Sequence, residues 1–162
     1  VREIVLTQGR VALVDDADYV EINRFKWHAI HVKGRWYAAR NIGIRQNRRK
    51  HRMHTVLLGF LGVDHVNGDG LDNQRANLRA ANQSENVANA RKQSYYRGLP
   101  TSSRFKGVHL LKHVKLRPWA VQIKGKHVGT FATEVEAARA YNDAALREFG
   151  DFARLNEFGV QG

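Results

Sequence analysis

The chain has 162 residues, 43% of them hydrophobic, enough for one ordinary domain or two small ones and for a folded core rather than disorder. Its formal net charge of +12 favours a polyanionic partner, nucleic acid before an anionic membrane, and the complete lack of Cys excludes disulfides and Cys-ligated zinc. The longest nearly apolar run, Val56–Val63, falls far short of the ~20 residues a spanning helix needs. Val1–Arg10 carries no signal-peptide core, so a soluble, cytoplasmic protein with no membrane partner is the expectation. The surplus charge lies in both halves: 14 Lys+Arg against 9 Asp+Glu in residues 1–90, and 13 against 6 in residues 91–162.

Taken in order, Glu3–Thr7 and Val11–Val14 alternate as strands around a Gln8-Gly9 turn. Asp15–Asp18 is a cap-like acidic cluster, and Tyr19–Phe25 fits a helical turn. Trp27–Ile30 and Trp36–Arg40 are aromatic-rich strands with a turn near Lys33-Gly34. Residues 1–50 thus form a β-rich scaffold. Gly43–Arg52 is the densest basic run, with Arg45, Arg48, Arg49, Lys50 and Arg52; in isolation it is a solvated loop. His54–Phe60 reads as a short apolar helix, with His54 a packing or phosphate-contact residue. Arg91–Ser103, with its Gln, Ser, Gly and Pro and no sustained apolar period, holds the linker, bounded at 93–103. Beyond it, strands fit Phe105–Leu110, Trp119–Lys124 and Lys126–Phe131, with a tight turn at Lys124-Gly125-Lys126. A helix follows, with a capping box from Thr133 and Glu136, apolar positions at helical spacing from Val135 to Phe149, and Gly150 at its end.

The chemistry concentrates between these parts, in Val63–Asn86. Asp64 and His65 are adjacent; a turn Asn67-Gly68-Asp69-Gly70 follows, Asn77 lies twelve residues past the His, and Asn86 nine further on. A calcium loop is excluded, because the twelfth residue counted from Asp64 is Arg75 where a Glu is required. Asn82 can cap a helix with Glu85 three residues on, which places Asn86 one turn in. Asp72 and Asn73 shape the loop. On a regular strand Asp64 and His65 would face opposite sides, so they take different roles or the strand is irregular.

This constellation resembles the core of an HNH endonuclease, in its His-Asn-Asn variant from phage and intron-encoded homing enzymes. The resemblance implies a ββα-metal (His-Me finger) core over residues 51–92. His65 would be the general base, Asn77 the residue whose carbonyl accepts a hydrogen bond from the His ring, and Asp64 and Asn86 the metal ligands. An all-oxygen site with one carboxylate suits Mg²⁺, with Mn²⁺ substituting. Beside such a core the basic run 45–52 reads as a phosphate track, and Arg79 as a possible phosphate contact.

The words FKGV, WAVQI, VGTF, TEVEAARAYNDAAL and FGDFARLN resemble the Apetala-type (ethylene-response-factor-like) DNA-binding domain, over residues 104–158. That resemblance implies a three-stranded antiparallel sheet packed on one helix, with Lys106, His109, Gln122, Lys124 and His127 on the DNA-facing side. Lys106 and Lys124 suit phosphates and Gln122 suits adenine. The fold class expected is therefore α+β. The function expected is a homing-type DNA endonuclease of a bacterial or phage-infected cell, acting on double-stranded DNA as a monomer or a DNA-induced dimer. It would cut one strand per site and leave 5′-phosphate and 3′-hydroxyl ends. The alternative is a non-cleaving DNA-binding regulator that uses the same fold as a scaffold; an RNA-binding protein is disfavoured, since the aromatics sit in core-like places.

Overall fold

The computed structural model describes residues 1–44, 47–96 and 98–159. The chain is mixed α/β, with several small antiparallel sheets and few helices, and divides into two compact units, Val1–Asn86 and Val87–Gly162. Among the described residues no helix is long and apolar enough to cross a membrane.

In the first unit, β1 (Arg2–Val5) and β2 (Val11–Val14) pair antiparallel around a turn in which Gln8 and Gly9 both take positive φ. Helix α1 (Asp16–Asn23) follows. Strands β3 (His28–Val32), β4 (Arg35–Ile42) and β5 (Arg49–Arg52) form an antiparallel sheet in that order. The core collects Ile4, Leu6, Val14, Ile22, Trp27, Ala38 and Met53, and the Trp27 indole donates to the Ile22 carbonyl at 2.8 Å, so its one polar atom is satisfied. Four arginines lie over rings of this unit: Arg10 over Trp36 at 3.7 Å, Arg40 over Phe25 at 3.6 Å, Arg2 over Tyr19 at 4.1 Å and Arg52 over Tyr37 at 4.8 Å. Each such contact contributes about 0.5–1 kcal/mol at exposed positions. Part of the basic run is thus a strand rather than a loop. A charged segment is tolerated there because β5 is the edge of its sheet, where Arg49 and Lys50 stay in water.

Helix α2 (Met53–Leu58) stops at Gly59, whose left-handed φ of 74° suits glycine. The chain then runs through β6 (Val63–His65), a long loop, β7 (Leu78–Ala80) paired antiparallel with β6, and helix α3 (Gln83–Ala88). The expected cap at the start of α3 is present in both directions: Glu85 N–H donates to Asn82 Oδ1 at 3.0 Å, and Asn82 N–H to Glu85 Oε2 at 2.7 Å.

In the second unit a small hairpin, β8 (Tyr95–Tyr96) with β9 (Leu99–Pro100), occupies part of the stretch read as linker. Strands β10 (Val108–Leu110), β11 (Trp119–Ile123) and β12 (Lys126–Phe131) form an antiparallel sheet in chain order, and α4 (Glu134–Phe149) packs on it. Thr133 and Glu136 make the full capping box. Ala137, Ala138 and Ala145 are wholly buried, and their small size lets the helix close onto Val121 and Ile123. Ala120 is buried too, between its cross-strand partners His109 and Thr130. Gly107 takes φ +73° with the buried Tyr141 ring against it, so a β-carbon there would collide with that ring. Gly107→Ala should therefore destabilise the protein by roughly 2–4 kcal/mol, combining left-handed strain with overpacking, and chemical denaturation of the variant beside wild type measures it.

Candidate active site

The β6–β7 pair sets Asp64 opposite Arg79 and His65 opposite Leu78. Asp64 is 2% exposed, and its Oδ2 accepts from Arg79 Nε at 3.0 Å and from Nη2 at 2.8 Å. A carboxylate buried this deeply needs such a partner, because an unpaired one would cost several kcal/mol. Arg79, read from sequence as a possible phosphate contact, is therefore the counter-charge of Asp64.

His65 is 4% exposed, and its Nε2 lies 3.5 Å from Asn73 Oδ1. The orientation of that amide is fixed: Asn73 Nδ2 donates to the Leu71 carbonyl at 3.0 Å, and the backbone N–H of Asn73 donates to Leu13 at 2.8 Å. With Oδ1 turned to the ring, the contact favours the tautomer protonated at Nε2, which carries its lone pair on Nδ1. Burial lowers the His65 pKa, against the opposing pull of Asn73 and of Asp64, Asp69 and Asp72. The ring is enclosed by His54, edge-to-face at 4.8 Å, and by Tyr37 at 5.9 Å. His54 is itself buried, with no hydrogen bond to its Nδ1 among the described residues, and burial, then His65 and Arg52, push its pKa down to about 3.

Asn77 sits differently from the expectation. Its Oδ1 accepts from the Asn67 backbone N–H at 3.0 Å and its Nδ2 donates to the Asp72 carbonyl at 2.8 Å, so it braces the loop between the strands rather than the His ring. The physical reason is the loop's path: pairing of Leu13 with residues 71–73 carries Asn73, not Asn77, under the ring. The same loop is laced by Asn67 Nδ2 to Asp72 Oδ2 at 2.8 Å and by turn bonds from Asp69 N–H and Leu71 N–H. Gly70 is buried against the Trp36 carbonyl and the Tyr37 ring, where a side chain would collide. Asn86, in the first turn of α3, donates its Nδ2 to the carbonyls of Asn82 at 3.2 Å and Ala81 at 3.5 Å, and among the described residues no hydrogen bond reaches its Oδ1.

The structure thus brings Asp64 and His65 together on β6 and braces the following loop through Asn77. Asn73 and Gly70, read from sequence only as loop and turn residues, orient the His65 ring and admit the Tyr37 ring, and Tyr37 itself was missed. Asn73 carried the one available signal, an amide in a loop beside a candidate base. Of the basic run, Arg48, Arg49 and Lys50 are exposed and Arg52 is half-buried over Tyr37, while Arg45 lies outside the described residues.

In the second unit, Gln122 and His127 are cross-strand partners and both exposed, and His109 is half-buried opposite Ala120. Two lysines expected to face DNA are engaged elsewhere. Lys106 Nζ donates to the carbonyls of Val87, Ala88 and Ala90. Lys124, at φ +50° in the β11–β12 turn, pairs with Glu148 of α4 at 2.7 Å. The turn carries its side chain toward the helix, away from the face that holds Gln122.

With this geometry in view, the chain is similar to an "Uncharacterized HNH endonuclease L560" of Acanthamoeba polyphaga mimivirus, at 26% identity over 156 residues, 93% of this chain and 76% of that protein. No family model matches the chain. No solved structure matches it either. The similarity supports a relationship to HNH nucleases.

Two histidines buried in the neutral form have a consequence for stability. Their folded pKa values lie below the unfolded value near 6.5, so below that pH the unfolded chain binds protons that the folded chain refuses. For His54 the loss runs from about pH 6.5 down to about 3, at about 1.4 kcal/mol per pH unit, and His65 adds a loss of the same sign as pH falls below about 6.5. Thermal melting across that range should show the decline, and His54→Phe should make it shallower.

Proposed function

We propose that the chain is a metal-dependent DNA endonuclease of the HNH class, homing-type, that nicks one strand of double-stranded DNA per active site. The observation that carries the reading is the buried His65 ring, oriented by Asn73 so that Nδ1 holds the lone pair, on the same short strand as the buried Asp64. The HNH name of the mimivirus relative supports it.

The residues fit a hard divalent cation in part by donor chemistry: one carboxylate at Asp64 and one amide oxygen at Asn86, whose nitrogen is already committed to the helix. Among the described residues no group of three His, Cys, Asp or Glu could hold an ion by itself. A Mg²⁺ or Mn²⁺ would therefore be held by Asp64 and Asn86 and completed by phosphate oxygens and water, as Mg²⁺ commonly is. Once bound it would supply charge stabilisation at the phosphate and at the leaving oxygen.

The protein's own part is proton transfer and orientation. His65 Nδ1 takes a proton from a water molecule, whose oxygen bonds to phosphorus as the bond to the 3′ oxygen breaks. That oxygen takes up a proton, leaving a 3′-hydroxyl and a 5′-phosphate. Asn73 holds the ring so that the lone pair faces the water, and the rings of His54 and Tyr37 block rotation. Asn77 keeps the loop that delivers Asn73 in place. The second unit, read as an Apetala-type sheet domain, would bind duplex DNA through His109, Gln122 and His127. The exposed Arg48, Arg49 and Lys50 track phosphates beside the active site. The chain acts as a monomer or a DNA-induced dimer.

A second reading has one observation in its favour: Arg79 already neutralises Asp64, as a DNA-binding regulator with a disused site would allow. Supercoiled plasmid incubated with Mg²⁺, Mn²⁺ or EDTA separates the two. The nuclease should convert it to open circle only with metal, and His65→Ala should abolish conversion; tight duplex binding without cleavage on varied DNA supports the regulator. Asn73→Ala should lower the nicking rate by about 10–100-fold, the usual cost of losing a ring-orienting partner. Asn77→Ala should chiefly lower the melting temperature.

A further inference from the structure

The second unit holds a cavity of about 350 Å³ whose lining carries five cations, Arg91, Lys92, Arg104, Lys106 and Arg154, against one carboxylate, Glu157. These charges are not evenly available. Lys106 Nζ is committed to three backbone carbonyls. Arg104 rests over the Phe105 ring at 4.7 Å and forms no ion pair among the described residues. Burial lowers the Lys92 pKa, and Lys92 forms no ion pair among the described residues.

The wall around them is built. The Asn156 side chain accepts from the Lys106 backbone N–H at 2.6 Å and donates to the Lys106 carbonyl at 3.1 Å. The Asn156 backbone is held on both sides by the Asn142 side chain, at 2.7 and 2.9 Å. On the other side the Arg104 N–H donates to Glu134 Oε1 at 3.1 Å, and the Ser103 hydroxyl donates to the same oxygen at 2.7 Å. These six hydrogen bonds fix the backbone at Arg104, Lys106 and Asn156, which lowers the ordering cost of a bound anion.

We propose that this cavity binds a phosphate group, that of a DNA backbone held by the second unit, with Arg104 and Lys92 as its contacts. The assignment to DNA rests on the function proposed above. A guanidinium and an ammonium lining the same cavity suit the two unesterified oxygens of a phosphodiester. Arg104 precedes His109 by five residues, at most about 18 Å of extended chain, so a base edge at His109 and a phosphate at the cavity can belong to one duplex. The site is separate from the open sheet face, since Gln122 and His127 do not line it.

The test is duplex binding by fluorescence anisotropy over a series of KCl concentrations, for wild type, Arg104→Gln, Lys92→Gln, the double variant and Arg104→Lys. Thermal melts of each variant establish folding. Loss of one phosphate contact should reduce the slope of log K against log salt by about 0.9 in the double variant, alike on different sequences, with Arg104→Lys close to wild type. A wild type that binds duplex while the double variant keeps its slope overturns the proposal and leaves the nuclease reading standing. A wild type that binds no duplex at any salt overturns both. A third arm titrates inorganic phosphate into isotope-labelled protein: amide shifts at residues 104–106 and 156–157 together with an unchanged DNA slope would mark a free-phosphate site and overturn the DNA assignment.

Discussion

The buried amide of Asn73 joins parts of the first unit that are far apart in the chain. Its backbone N–H meets the Leu13 carbonyl, its side-chain nitrogen meets Leu71, and its oxygen faces the His65 ring. Leu13 in turn donates to Leu71. The edge of the first hairpin therefore fixes the path of the loop that follows His65, and the loop fixes the ring. An unpaired polar group at such depth costs about 1–3 kcal/mol, so every bond of this amide must be made at once. The β-rich segment before the motif, which carries no chemistry of its own, is what turns a loop amide into an orienting group.

Much of this was legible from residues alone. Helix α4 was readable because its capping residues and apolar period agree, and the β11–β12 turn because Lys124-Gly125 suits positive φ. The capping box of α3 was readable for the same reason, and it puts Asn86 in its place. Strand β5 was hidden because an edge strand needs no apolar alternation. The hairpin Tyr95–Pro100 was hidden because two-residue strands show no period. Asn73 and Asn77 could not be told apart, since both are loop amides past the same His. Which of them reaches the ring depends on pairing with Leu13, and spacing within the motif does not contain that information. Gly70 looked like one more turn residue, whereas its role is to let the Tyr37 ring approach the loop.

Electrostatics at the site follow from burial. Asp64 lies beneath the surface bonded twice by Arg79, and burial, outweighing Asn73 and three nearby carboxylates, lowers the His65 pKa. A cation approaching Asp64 meets a charge already compensated by Arg79. Under the proposed function, affinity for the ion would stay low until phosphate oxygens complete the coordination, tying cleavage competence to bound DNA.

The basic surplus also has to be sorted before it can be read as a DNA footprint. Arg10 and Arg40 lie on aromatic rings, Arg75 pairs with Asp18, Arg79 with Asp64, Lys124 with Glu148, and Lys106 holds three carbonyls. These cations serve the fold, and two of them stood among the residues that sequence marked for DNA on the second unit. Removing one would damage packing or a paired carboxylate first, and any loss of DNA affinity would be secondary. Arg48, Arg49 and Lys50 in one unit, and Lys92 and Arg104 in the other, form no ion pair among the described residues. Release of counterions from DNA is driven by cations that gain a phosphate without losing an internal partner, so under the proposed function cations such as these, rather than the formal net charge, would build the affinity.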